Sequence, residues 1–234
     1  MSSTLKITVI AAVLLGLAAC GGGGASSSSN NTGAGTTSIA SITPAGFVAS
    51  STPTTLSISG SNFGSGMTVN ITSSNGSANL TPTSVTSGLI VVSVPMSTVP
   101  AGNYATLSVK SASGTVLATA VFGVASVAKT LAADIQPIFN SNCTRCHDGT
   151  ANFSLASGAA ASSLISTTSS GCSAKMRVKA GDPQRAQSVL MDKILVASTG
   201  SAACSGAGMP ADSITTLSGA DIQNVREWIA GGAN

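Results

Sequence analysis

Between Gly21 and Ala128 the chain carries a single charged side chain, Lys110, while all seven acids and eight of the ten bases lie from Lys129 onward. Within the charge-poor part the apolar residues recur at period two. In "TLSISGSNFG" (55–64) Leu56 and Ile58 alternate with small polar residues before a turn through Gly60 and Asn62. "MTVNIT" (67–72) alternates again, "LIVVSVP" (89–95) is a denser run stopped by Pro95, and "GNYATLSVKSASGTVLATAVFGV" (102–124) reads as two or three strands about Ser113–Gly114. Short strands punctuated by Gly, Asn and Pro predict an all-β sandwich. Residues 39–125 contain no His, Cys, Asp or Glu, so acid–base or metal chemistry is not expected there. The shift in charge predicts a second domain with different surface chemistry. A net charge of +3 without a basic cluster gives no footprint for nucleic acid.

The first residues read as an address. Lys6 precedes an apolar run from Ile7 to Leu17, which has the length of a signal-peptide core and is short for a membrane span. The run ends in Leu17-Ala18-Ala19-Cys20, which resembles a bacterial lipobox. The resemblance implies removal of residues 1–19 and lipidation of Cys20, against an ordinary cleavage site with a chance cysteine. "GGGGASSSSNNTGAGTTS" (21–38) has the composition of a flexible tether, so 20–38 is expected to be a linker. No Asp follows Cys20, which by analogy favours the outer membrane. The expected location is outside the cytoplasm, lipid-anchored at the periplasm, outer membrane or cell surface.

The only histidine of the chain closes the pentapeptide "CTRCH", Cys143 to His147. A Cys-x-x-Cys pair on a helical turn suits addition of two thiols across the vinyl groups of a haem, with the adjacent His beneath the iron. A zinc site needs about four Cys or His ligands and finds no second cluster. A thioredoxin-like dithiol ordinarily opens a helix after a strand, whereas "TLAADIQPIFNSN" (130–142) reads as helical or irregular. The expectation is one covalent haem c held by Cys143 and Cys146, with His147 as proximal ligand. Cys172 and Cys204 are then an even pair in an oxidising compartment, expected to form a disulfide rather than remain thiols. Such a bridge closes about 33 residues and is worth about 4 kcal/mol in the chain-entropy model.

With no second histidine, the other axial position falls to methionine, lysine, a weaker ligand or nothing. Met191 lies in a stretch expected to be helical over 182–197, with Asp182 as N-cap and Pro183 at N1. Met176 stands between Lys175 and Arg177. Met209 sits in "SGAGMPADS" (205–213), an aperiodic loop where a thioether has no evident packing role, and is the expected distal ligand. "LSGADIQNVREWIAGGAN" (217–234) predicts a terminal helix with a capping box at Ser218–Asp221 and an apolar stripe of Ile222, Val225 and Ile229. It is expected to pack on the helix containing "ADIQPIF". Nδ1–H of His147 is expected to donate to a backbone carbonyl, with the "GDP" turn (181–183) as a candidate. Arg177, Lys179 and Arg145 are candidates for haem propionates, with solvated surface charge as the plainer alternative.

Two resemblances add to this. "ITPAG", "LSISGSNFG", "MTVNI", "IVVSVP", "GNYATLSV" and "FGV", in that order, resemble an IPT/TIG module, an immunoglobulin-like sandwich, over 39–126. "DIQPIFNSNCTRCHDG", "RVKAGDPQRAQSVLMDKI", "GMP" and "LSGADIQNVREWIAGGA" resemble a single-haem cytochrome c domain over 127–234. That second resemblance implies a mostly α domain, with His147 and Met209 as axial ligands. Ala211 follows Met209-Pro210 where a second proline is common, which leaves the loop less stiff. The expected fold is therefore two domains, an all-β Ig-like sandwich followed by a mostly α cytochrome c domain. The expected role is a non-enzymatic electron carrier between redox protein partners, anchored to the membrane through its N-terminal lipid. The alternatives are a five-coordinate haem protein for peroxide or small ligands, and a surface binding module whose haem is accessory.

Overall fold

A computed structural model describes residues 35–74, 76–95, 103–150, 153–172, 175–185, 187–199, 204, 206–211 and 217–234. The leader expected over 1–19, Cys20 and the tether as far as residue 34 lie outside the described residues, as do parts of the "SGAGMPADS" segment, while Ser38, the last residue expected in the tether, begins a strand. Among the described residues no helix is long and apolar enough to cross a membrane.

Among the described residues nine strands precede the helices. They are β1 (Ser38–Thr43), β2 (Gly46–Val48), β3 (Thr54–Ser61), β4 (Thr68–Ser73), β5 (Gly76–Leu80), β6 (Ser84–Val85), β7 (Leu89–Val94), β8 (Asn103–Lys110) and β9 (Val116–Ala125). One sheet has the order β1-β3-β7-β6 and the other β2-β9-β8-β4-β5. The period-two pattern becomes a packed face. Leu56 and Ile58 of β3 stand opposite Val92 and Ile90 of β7, and all four are fully buried. The facing sheet contributes Val69, Ile71, Ala105, Leu107, Val109 and Phe122 to the same core. The segment 102–124 resolves into two strands, with Gly114 at φ +86° in the turn between them.

From Leu131 a wide helical turn (Leu131–Ile135) runs into α1 (Gln136–Asn142), followed by α2 (Ala160–Leu164), α3 (Val189–Thr199) and α4 (Gly219–Ala230). The predicted capping box at α4 is present: Asp221 N–H donates to Ser218 Oγ at 3.0 Å and Ser218 N–H to the Asp221 carboxylate at 3.3 Å. Val225, Trp228 and Ile229 of α4 are buried together with Ile135, Phe139, Leu155, Leu164 and Met191 in a second apolar cluster.

The expected two-domain fold with a mostly α second half is corrected on two counts. Among the described residues the structure is mostly β, 35% strand against 21% helix, and the four helices after residue 127 are only 7, 5, 11 and 12 residues long. The helix expected over 182–197 begins at Val189. Asp182 does not cap it. Its carboxylate accepts from the Gln184 backbone (3.3 Å) and pairs with Lys179 (3.2 Å), and its carbonyl accepts from Ser188 Oγ (2.8 Å), so the segment turns before it coils. Between the helices the chain is irregular and tied by isolated bridges, Ile165 to Val178, Thr168 to Met176 and Met176 to Ser188.

Nor do the halves separate at the charge boundary, because Gly35 to Asn234 form one compact unit. α4 packs directly on β9 and β2. A Cβ at Gly46 or Gly123 would collide with the backbone of Ala230, and one at Gly181, whose φ is +74°, would collide with the Ala45 carbonyl. The buried Glu227 carboxylate accepts from Ser126 N–H (2.6 Å), Ser126 Oγ (2.5 Å) and Gln223 (3.0 Å). A charge-poor sandwich and a charged helix thus meet backbone to backbone, a contact that composition does not report. Because the atom facing Gly46 is a carbonyl in a helix terminus, Gly46→Ala is expected to destabilise the whole unit by about 1–3 kcal/mol, as overpacking does. Urea unfolding followed through Trp228 fluorescence checks this, with the midpoint expected to fall.

Candidate functional site

α1 carries Pro137 in its first turn, where a missing N–H costs nothing, and its hydrogen bonding continues past Asn142. Cys143 N–H donates to the Phe139 carbonyl at 2.8 Å, Cys146 N–H to the Cys143 carbonyl at 3.1 Å, and His147 N–H to the same carbonyl at 2.9 Å. This extra turn puts positions i, i+3 and i+4 of "CTRCH" side by side. Cys143 is half-buried and Cys146 exposed, and both are free thiols. Burial, with the Cys146 thiol adding to it, pushes the Cys143 thiol up to about 11.

After His147 the chain folds back on itself. Leu155 N–H donates to the His147 carbonyl at 2.7 Å, and Asp148 bridges Ser154. This sets the Phe153 ring 4.6 Å from the imidazole at an interplanar angle of 25°. Arg177 lies 4.1 Å from the Phe153 centroid and donates to the Ser163 carbonyl at 2.8 Å. Burial first, and the Arg177 charge second, hold the His147 pKa below its ordinary value, which favours the neutral ring that metals bind. The expected hydrogen bond from Nδ1 is absent: this atom is buried with no partner among the described residues. The "GDP" turn is engaged elsewhere, with the Asp182 carbonyl accepting from Ser188 and Gly181 N–H donating to Ile229.

Two adjoining clefts flank this turn. The larger, with about 710 Å³ of empty space, has Leu155, Leu164, Val189, Leu190 and Ile194 as apolar lining. The smaller, of about 520 Å³, lies beside Asn142, Cys146 and Ala211. Cys143, His147, Met209 and Pro210 line both.

The structure separates the three candidate methionines by environment. Met176 is 37% exposed, Met191 is fully buried in the apolar cluster of α4, and Met209 faces the clefts. Met209 is held there from α3: its N–H donates to the Lys193 carbonyl at 2.9 Å, and Lys193 Nζ donates to the Ala207 carbonyl at 3.3 Å. Cys172 and Cys204 form the expected disulfide, with Cα atoms 5.5 Å apart. Next to it the fully buried Asp192 carboxylate takes Nε and Nη2 of Arg185 at 3.0 and 2.9 Å on one oxygen, and Cys204 N–H at 3.0 Å on the other.

Of the cations considered for an anionic group, Arg177 lines the larger cleft and Lys179 pairs with Asp182. Phe153, Lys193 and the Arg185–Asp192 pair were not legible in the sequence. Phe153 follows the histidine by an aperiodic interval, and an acid four residues into a helix ordinarily reads as solvated. Among the described residues no group of three His, Cys, Asp or Glu side chains is placed to hold a bare metal ion. Two thiols and an imidazole on one turn, with Met209 lining the clefts beside them, are instead the donor types that suit a haem.

No family model and no curated protein matches this chain.

Removing the Asp192 carboxylate takes from the buried Cys204 amide its acceptor and from the partly exposed Arg185 one of its partners. Asp192→Ala is expected to cost about 1–3 kcal/mol. Thermal unfolding of the oxidised chain checks it.

Proposed function

We propose that this chain is an exported, lipid-anchored c-type cytochrome that carries electrons between redox protein partners and is not itself an enzyme. One haem c is attached through Cys143 and Cys146, and its iron is ligated by His147 and Met209. The observation that carries the reading is that "CTRCH" forms a single helical turn whose Cys143 and His147 share two clefts with Met209, a residue 62 positions from His147 in sequence. The motif order resembling single-haem cytochromes c supports it independently, and the Leu-Ala-Ala-Cys20 lipobox supports anchoring through an N-terminal lipid outside the cytoplasm.

When bound, haem supplies a one-electron iron couple, and a thioether ligand places its potential above that of a bis-histidine site. The rest is done by the chain. Burial keeps His147 neutral and available as a ligand. Lys193 and the disulfide hold the Met209 loop at the clefts, where its thioether would serve as the second protein ligand and leave no open position for small molecules. Leu155, Leu164, Val189, Leu190 and Ile194 keep water out of the larger cleft. Arg177 and Lys193 supply positive charge on its lining, suited to the carboxylates of a haem. The β-sandwich, free of chemistry-bearing side chains, serves to stand this site off from the lipid anchor.

A pyridine haemochrome assay on the membrane fraction, with intact-mass measurement of the mature chain, is expected to report one covalent haem together with acyl chains. Colourless material whose mass accounts for peptide and lipid alone sinks the proposal. Met209→Ala is expected to retain the covalent haem, lose the thioether-to-iron absorption band, and acquire a rapid spectral change on adding carbon monoxide to the reduced form.

A further inference from the structure

We infer that Phe153 is a positioning residue that orients the His147 imidazole by ring stacking, in place of a hydrogen bond to Nδ1, and that Arg177 holds Phe153 for this purpose. The inference rests on His147 being the iron ligand. A ligating imidazole needs its ring plane fixed, and the usual means is a hydrogen bond from the nitrogen that does not bind the metal. Here Nδ1 is buried without a partner among the described residues. What the imidazole has is a ring 4.6 Å away and within 25° of parallel. Offset stacking at this separation restricts rotation about the ring's own bond to the chain, because turning the imidazole edge-on would drive it into the Phe153 face.

Phe153 is itself not free to turn. The Asp148–Ser154 bridge and the Leu155 to His147 backbone bond close the short loop that carries it. The Arg177 guanidinium sits 4.1 Å from its centroid, within the range of cation–π attraction. Arg177 is tied to the Ser163 carbonyl of α2 at 2.8 Å. A continuous chain of contacts therefore runs from α2 through Arg177 and Phe153 to the imidazole. Such a stack can hold the ring without withdrawing or sharing its Nδ1 proton.

The single histidine makes the test direct. The full chain, labelled with ¹³C and ¹⁵N at histidine and collected before haem attachment, gives one imidazole signal set. Its carbon-bound ring protons are expected upfield of a free imidazole, with cross-relaxation to the Phe153 ring. Phe153→Leu is expected to abolish most of that shift, Phe153→Tyr to keep it, and Arg177→Met to diminish it. In the haem-loaded chain, Phe153→Leu is expected to leave covalent haem content unchanged while the hyperfine-shifted His147 resonances broaden and multiply, with Phe153→Tyr restoring a single set. A wild-type chain lacking both the upfield shift and the cross-relaxation overturns the inference even if Phe153→Leu fails to fold. A haem-loaded Phe153→Leu protein with wild-type His147 resonances overturns it while leaving the proposed function standing. Wild-type material without haem removes the proposed function, and the ligand role of the stack with it.

Discussion

The close approach of α4 to the second sheet governs the rest of the molecule. Gly46 and Gly123 admit the carboxyl end of α4 against β2 and β9 at a distance that a side chain would forbid. Glu227 then satisfies Ser126 where the sandwich ends, and does so inside the contact, so the carboxylate is buried with three donors and no desolvated orphan remains. With α4 fixed, its inner face places Trp228 against Ile135 and Phe139. Asn234 ties the structure back by accepting from both Leu131 N–H and Trp228 Nε1 at 3.0 Å. The turn that carries Cys143, Cys146 and His147 is the direct continuation of that packed segment.

The two arms of the site are stabilised by different physics. The "CTRCH" arm is local, with its bonds spanning three or four residues and its position inherited from α1. The Met209 arm is held from outside, by the Lys193 backbone, by the Cys172–Cys204 bridge, and by Asp192 beneath the bridge. An aperiodic loop rich in Gly loses much conformational entropy on ordering, and a cross-link lowers that cost by constraining the unfolded chain. The disulfide and the buried carboxylate thus do for the Met209 side of the clefts what helical geometry does for the "CTRCH" side.

Some of this was readable in advance because it is short-range. The strands at Leu56–Ile58, Val69–Ile71 and Ile90–Val94 follow from period-two alternation, and the α4 capping box follows from Ser218 and Asp221 at the right interval. The helix start at 182 was misplaced because an Asp-Pro pair suits a turn as well as an N-cap, and the buried Ser188 decided in favour of the turn. The separation into two domains was misread because the charge boundary coincides with a change of surface, whereas the contact across it is made by glycine backbones and one carboxylate.

The amino-acid order alone determined what depends on neighbours along the chain: alternating strands, capped helix ends, and two thiols and an imidazole on one turn, since each is set by bonds spanning a few residues. Only the tertiary structure decided which methionine lines the clefts beside that turn, which acids are buried, that Nδ1 of His147 lacks a partner among the described residues and has Phe153 beside it, and that sandwich and helices form one body. These depend on atoms distant in sequence meeting at van der Waals range, and local pattern carries no information about such meetings until the backbone has closed around them.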